Sequence, residues 1–92
     1  MRYQFEYPDD IRAAKTALLE ALDLVTGELS DNLSGILSIC DGEIPEEYDL
    51  MPMVYAQEEL RKQGRQDLAS RLYMATWALE QELMQATYLL YE

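Results

Sequence analysis

Apolar residues lie on two opposite sides of the C-terminal stretch, residues 67–91. Counted at about 100° per residue, one stripe contains Leu68, Leu72, Ala75, Leu79, Leu83, Ala86 and Leu90. The second, which we call the aromatic stripe, lies nearly opposite and consists of Tyr73, Trp77, Met84, Tyr88 and Tyr91. A helix that is apolar on two sides needs a cover on each side. The pattern therefore predicts a helix over 67–91 that is covered by another helix on one side and by a second subunit on the other. The alternative is a monomer in which Tyr3, Phe5 and Tyr7 fold back over the aromatic stripe.

Helical spacing of apolar residues also runs through the first half of the chain. The residues in phase are Ile11, Ala14, Leu18, Leu22, Val25, Leu29, Leu33, Ile36 and Cys40. Because the phase continues through Gly27 and Gly35, the pattern predicts one long helix over residues 9–41, with Asp9 as its N-cap and Gly42 as its stop. An interior glycine costs about 1 kcal/mol relative to alanine. Two helices separated at Gly27 are therefore the alternative.

The rest of the chain supplies a short arm and a shorter helix. Aromatic residues alternate with polar ones over residues 1–8, which predicts an extended arm that lays its aromatic side on the helices. Residues 42–49 form an acidic connection, and a helix is predicted over residues 50–63. We expect Gly64 to end that helix and Asp67 to cap the next one, although a single helix through Gly64 is the alternative.

These elements predict the fold class and the domain organisation. We expect one all-α domain over residues 1–92, a long antiparallel helical hairpin or small bundle of three main helices with the extended N-terminal arm. At 49% hydrophobic residues, the chain is too apolar for intrinsic disorder. A chain of 92 residues builds only a thin core, so association would help its stability.

Charge is the most unusual feature of the sequence. The formal net charge is −11, and the interval between Lys15 and Arg61 holds eleven acidic residues and no basic one. Such a balance argues against direct binding of nucleic acid or of an anionic membrane surface, because both require clustered Lys and Arg. It favours a basic protein surface as the partner, and a nucleic-acid-binding protein has such a surface.

The predicted docking surface combines the polar side of the long helix with the acidic connection. Its residues are Glu20, Asp23, Asp31, Asp41, Glu43, Glu46, Glu47 and Asp49. The first three share one side of the predicted helix at 100° per residue. We expect them to continue past the helix end into the connection as one anionic surface.

Residues that catalysis and metal binding commonly require are scarce. Histidine is absent, which removes the commonest general base and the commonest metal ligand. Counted from Asp41, the connection fails the EF-hand pattern because its sixth position is not glycine. Two candidate carboxylate pairs, Glu20 with Asp23 and Glu80 with Glu82, are interpreted as solvent-exposed. We therefore expect no enzymatic activity, no cofactor and no metal site.

Cys40 is the only cysteine, which excludes an intramolecular disulfide and favours a reducing compartment. It lies on the apolar side of its helix and is predicted to be a core residue. The sequence shows no secretory leader and no apolar run that approaches the ~18 residues of a membrane span. We therefore expect a cytoplasmic protein, in the host cytoplasm if a phage encodes it.

Two functions from different classes fit these features. The first is a small non-catalytic binding protein whose acidic surface docks on a basic partner. In size, charge and lack of catalytic motifs, the chain is similar to phage-encoded inhibitors of host defence, including anti-CRISPR and anti-restriction proteins. That similarity implies an anionic decoy for a nucleic-acid-binding enzyme. The second is a structural or adaptor protein that forms a homodimer or higher homo-oligomer through the aromatic stripe, with room for a small-ligand pocket between subunits.

Overall fold

Helices account for all regular secondary structure in the part of the chain that the structure describes, residues 2–91. The computed structural model contains five helices in this range. They are α1 (Pro8–Leu22), α2 (Gly27–Ser34), α3 (Leu37–Cys40), α4 (Met51–Lys62) and α5 (Gln66–Tyr91). The predicted all-α class is confirmed, whereas the predicted count of three main helices differs from the five observed.

α1 and α5 form the central antiparallel pair of the fold. At one end of the pair, the Tyr7 N–H before α1 donates to the Glu82 carboxylate of α5. At the other end, Glu20 of α1 forms an ion pair with Arg71 of α5. Both helices bury residues at three- and four-residue spacing, namely Ile11, Ala14, Leu18 and Ala21 on α1 and Leu72, Ala75, Leu79, Leu83 and Ala86 on α5. The first apolar stripe of α5, which begins at Leu68, is therefore part of the core, except for Leu90, which is exposed.

The long helix predicted over residues 9–41 is interrupted twice, so the unbroken helix is wrong, whereas the alternative of a break at Gly27 is confirmed. At the first interruption Gly27 has a φ of +67°, a left-handed conformation that residues with a Cβ rarely adopt. The Leu24 carbonyl at this break accepts a hydrogen bond from Gln63 Nε2 at 2.8 Å. Because the chain breaks here, α2 packs on α4 while α1 packs on α5.

The second interruption, between α2 and α3, is slight. Gly35 and Ile36 keep helical backbone angles, but the Ile36 N–H bonds to the Leu33 carbonyl at 3.1 Å, a three-residue spacing. Helical geometry thus nearly continues, and Leu33, Ile36 and Cys40 are all buried in phase. Gly42, with a φ of +95°, ends the helical region as predicted.

Three helix starts differ from the prediction by one or two residues. α1 begins at Pro8, with Tyr7 rather than Asp9 at the N-cap position. α4 begins at Met51 rather than at residue 50. α5 begins one residue before Asp67, which therefore lies in the first turn instead of capping it. Proline suits the first helical position because it lacks the N–H that would have no partner there.

The turn between α4 and α5 is built around Gly64, and the predicted break there is confirmed. Gly64 has a φ of +78°, and the following Arg65 N–H donates to the Leu60 carbonyl at 2.8 Å. A hydrogen bond to the carbonyl five residues earlier closes the C-terminus of a helix in this way. The chain then reverses, so that Gln57 of α4 lies opposite Thr76 of α5 and donates to its hydroxyl at 3.1 Å.

The N-terminal arm, residues 2–7, is held against the connection and the core. The Tyr3 N–H donates to the Gly42 carbonyl at 2.8 Å. The ring of Tyr3 meets that of Phe5 edge-on, with 5.6 Å between centroids, and both rings pack against the core. Tyr7, in contrast, is exposed. The predicted burial of the aromatic side of the arm thus holds for two of its three rings.

Candidate interaction surfaces

Two of the eight acidic residues predicted for docking form ion pairs within the protein. Lys15 Nζ lies 2.7 Å from Asp41 Oδ1, and the Arg71 guanidinium pairs with Glu20. The hydrogen bond from Lys15 lowers the pKa of Asp41, and the one from Arg71 lowers the pKa of Glu20. Both carboxylates therefore already have a cation beside them.

The six other predicted docking residues differ in what they contact. Asp49 Oδ1 accepts the Met51 N–H at 2.9 Å and so satisfies a free donor at the start of α4. The remaining five residues are exposed to solvent, namely Asp23, Asp31, Glu43, Glu46 and Glu47. Within residues 2–91, none of these five takes part in an ion pair.

The structure does not arrange the acids as a strip along one helix. Glu20 lies on α1 and Asp31 lies on α2, with the break at Gly27 between them. Asp23 lines a hollow of about 590 Å³ that also contains Glu20, Arg65 and Arg71, so that cations face these acids. Glu43 lines a separate hollow beside α3, and no described residue that lines this second hollow is basic. The acids of the predicted surface therefore lie on separate elements and line at least two different hollows.

The aromatic stripe lies on the outer side of α5. Its five side chains, Tyr73, Trp77, Met84, Tyr88 and Tyr91, are between 49% and 67% exposed. Trp77 Nε1 donates to the Tyr73 hydroxyl at 3.1 Å, which links two rings one turn apart. The Tyr91 hydroxyl donates to the Ile44 carbonyl at 2.7 Å and so holds the acidic connection against the end of α5. The stripe is thus exposed along its length, although its last residue, Tyr91, is hydrogen-bonded to the connection.

A groove that the sequence does not predict lies between α1 and α5, next to the aromatic stripe. Its volume is about 660 Å³. The lining includes four alanines, two larger apolar side chains and two charged residues, namely Ala13, Ala14, Ala75, Ala78, Met74, Trp77, Asp10 and Arg71. Ala75 and Ala78 are three residues apart on α5, a spacing that predicts close helix packing but does not by itself predict an open groove.

Glu82 is predicted to be solvent-exposed, and this prediction is wrong. Its side chain lies on α5 and the residue is only 3% exposed. Its two carboxylate oxygens accept the backbone N–H groups of Glu6 and Tyr7, at 3.1 and 2.9 Å. Burial, followed by the negative charge of Glu82, raises the pKa of Tyr3. Glu82 therefore joins the arm to α5, whereas Glu80 is exposed as predicted.

Cys40 is buried at the end of α3, as predicted for a core residue. Burial, together with the nearby charge of Asp41, raises the pKa of its thiol to about 11. The thiol is therefore protonated at neutral pH, whereas nucleophilic cysteines react as thiolates. Across the described residues, no group of three or more His, Cys, Asp and Glu side chains is arranged to hold a metal ion.

No family model, no curated protein and no solved structure matches the chain. Among residues 2–91, no helix combines the length and the apolar character that crossing a membrane requires.

Proposed function

We propose that the protein is a small non-catalytic binding protein that docks on a basic surface of a nucleic-acid-binding partner, such as a host defence enzyme. The observation that supports this most directly is a set of exposed carboxylates in the connection that form no ion pair with any residue of 2–91, namely Glu43, Glu46 and Glu47. Fixed anionic groups attract a basic protein and compete with phosphates for its binding site. The formal net charge of −11 adds a long-range attraction.

Because ion pairs within the protein occupy two of the predicted docking residues, we assign docking mainly to the connection. Asp41 and Glu20 each have a cation at hydrogen-bonding distance, which reduces the field that either one presents to a partner. Asp49 accepts a hydrogen bond from the Met51 N–H at the start of α4. The three glutamates of the connection make no such contact within the part of the chain that the structure describes, so we assign them the largest contribution to docking.

Charge reversal in the connection tests the proposal. The partner is first captured from a lysate of the native host and identified by mass spectrometry, and its association is then measured by stopped flow at several salt concentrations. The variant Glu43→Lys, Glu46→Lys, Glu47→Lys should slow association by about tenfold or more and flatten its salt dependence, because exposed charges act over a Debye length of ~8 Å.

A matched triple variant separates a local surface from net charge. Glu28→Lys, Glu58→Lys, Glu80→Lys changes the net charge by the same +6, and all three residues are exposed elsewhere. It should slow association much less than the variant in the connection. Equal slowing by both variants would mean that only net charge matters. No slowing by either would mean that the connection is a solvated loop.

A second function is favoured by the exposed aromatic stripe, namely a structural or adaptor protein that assembles with itself through α5. Contiguous apolar surface on monomers is normally limited to a few hundred Å², and aromatic and methionine side chains are enriched at interfaces. Sedimentation equilibrium should show self-association of the wild type and its loss in Trp77→Ala, Tyr88→Ala. A wild type that stays monomeric at high micromolar concentration would contradict this function.

A further inference from the structure

We infer that the groove between α1 and α5 binds a second copy of the chain, in a two-fold symmetric arrangement. The inference rests on the second function proposed above. It places the contact between the two copies in the groove and its rim, and not in the aromatic stripe alone. A two-fold interface uses the same patch on both copies, so that patch must offer both a recess and a projection. The groove and its rim provide both features.

The recess is formed by small side chains, and the projection by large ones beside them. Ala14 and Ala75 are buried at the bottom of the groove, and Ala13 is exposed at its side. Met74 and Trp77 line the same groove, yet about half or more of each side chain is exposed. Two-fold docking places Met74 and Trp77 of each copy over the alanines of the other. Small residues at such a contact allow the helix axes to approach within about 8–10 Å.

The charges at the two ends of the groove complement each other under the same symmetry. Because α1 and α5 are antiparallel, Asp10 lies at the end near Gln81, and Arg71 lies at the opposite end. A two-fold axis that crosses the middle of the groove, perpendicular to its length and parallel to its surface, brings Asp10 of each copy to the end that holds Arg71 of the other. The interface thus gains two symmetric ion pairs.

Arg71 can take part in this contact without leaving Glu20. A guanidinium group has five N–H donors, and Glu20 is bound through the Nη2 atom of Arg71. About half of the Arg71 side chain is exposed. Asp10 is also exposed and forms no ion pair among the described residues.

The lining also favours a second copy over a basic partner. It carries one acid and one base, so it adds no net repulsion between two acidic chains, and it offers no concentrated negative charge to a cationic helix. From residue 71 to residue 81 the groove follows about three turns of α5, a length of ~15 Å. Packed helix pairs commonly stay in contact over such a length.

A charge-swap series tests the two-fold contact by sedimentation equilibrium. Asp10→Arg and Arg71→Asp should each raise the dimer dissociation constant by about tenfold or more. The double variant should restore it to within about threefold of the wild type, although it does not restore the contact between Arg71 and Glu20. Failure of the double variant to restore dimerisation would overturn the inference.

A second pair of variants separates the groove from the aromatic stripe. Ala13→Arg places a bulky charge in the groove at an exposed helix position and should abolish dimerisation while circular dichroism shows an intact fold. Met84→Ala, Tyr88→Ala changes the part of the stripe that lies outside the groove. A contact through the groove predicts unchanged dimerisation in this variant, whereas a contact through the stripe predicts its loss. The opposite result would overturn the groove contact and leave self-association through the stripe in place.

Trp77, the only tryptophan, gives an independent readout. Its emission should shift to shorter wavelength as the wild-type concentration rises, because the second copy covers it, and Ala13→Arg should remove this shift. A monomeric wild type would overturn the inference together with the self-assembling function. A monomer that binds 1-anilinonaphthalene-8-sulfonate, with binding lost in Ala13→Arg, would assign the groove to an apolar small molecule and would likewise overturn it.

Discussion

Residues 8–40 and α5 carry the same kind of apolar repeat, yet only α5 is a continuous helix. α5 runs for 26 residues and contains neither glycine nor proline. Residues 8–40 include Gly27 and Gly35 and divide into three helices. Apolar periodicity records which side of the chain meets the core, and it persists across a break when the chain resumes with the same side buried. The backbone conformation at Gly27 therefore decides where α1 gives way to α2.

This difference also determines where apolar surface remains exposed. The broken segment folds back so that α1 packs on α5 and α2 packs on α4, and Leu19 is its one large exposed apolar side chain. α5 cannot fold back on itself. It keeps eight such side chains exposed, namely Tyr73, Met74, Trp77, Met84, Tyr88, Leu89, Leu90 and Tyr91. A continuous helix with two apolar sides thus supplies the candidate docking surface.

Truncation of the buried side of α5 should have the largest effect on stability. Leu79 is fully buried, and Leu79→Ala should lower the free energy of unfolding by ~2–5 kcal/mol, because it removes apolar contacts and leaves a cavity. Urea denaturation followed by circular dichroism measures this change. The control is Leu89→Ala on the exposed side of the same helix, which should change stability by less than about 0.5 kcal/mol. Similar losses in both variants would contradict the assignment of the two sides.

Removal of the Glu82 charge should have the next largest effect. Glu82→Gln keeps one acceptor oxygen but turns an amide group toward one of the two N–H donors of the arm, so we expect a loss of ~1–3 kcal/mol. Glu80→Gln is the matched control, since it makes the same chemical change at an exposed site two residues earlier on the same helix. A loss of equal size in the two variants would mean that the arm does not depend on the buried carboxylate.

Local signals in the sequence predict the helical class, the two sides of α5 and the glycine stops at Gly42 and Gly64. They do not predict the role of Glu82, because its hydrogen bonds join residues that are 75 and 76 positions apart. The break at Gly27 is predicted only as an alternative, for a different reason. Apolar residues on both sides of it are buried, so the periodicity is the same as in an unbroken helix.

The two glycines of the broken segment should respond to alanine in opposite directions. Gly27 has a φ of +67°, and Gly27→Ala should lower stability by ~1–2 kcal/mol, since a Cβ disfavours that conformation. Gly35 has helical angles and room for a Cβ, whose nearest neighbour would be the Asn32 carbonyl oxygen at 3.4 Å. Gly35→Ala should therefore raise stability by ~0.4–1 kcal/mol. Thermal unfolding measures both changes, and stabilisation by both variants would indicate that the segment can also form one helix.

The ion pair between Lys15 and Asp41 should have the smallest effect, and its dependence on pH identifies it. The hydrogen bond from Lys15 lowers the pKa of Asp41 in the folded state. A lowered carboxyl pKa contributes stability above the unfolded value of ~3.9, and this contribution is lost as the pH falls through the folded value. The melting temperature of Asp41→Asn should therefore lie below that of the wild type near pH 6 and approach it near about pH 2, and added salt should also reduce the difference. Asp31→Asn, at an exposed residue without an ion pair in the described chain, is the control and should keep a melting temperature close to that of the wild type near pH 6. If Asp41→Asn melts below the wild type by the same amount at both pH values, the pair does not help to hold α3 against α1.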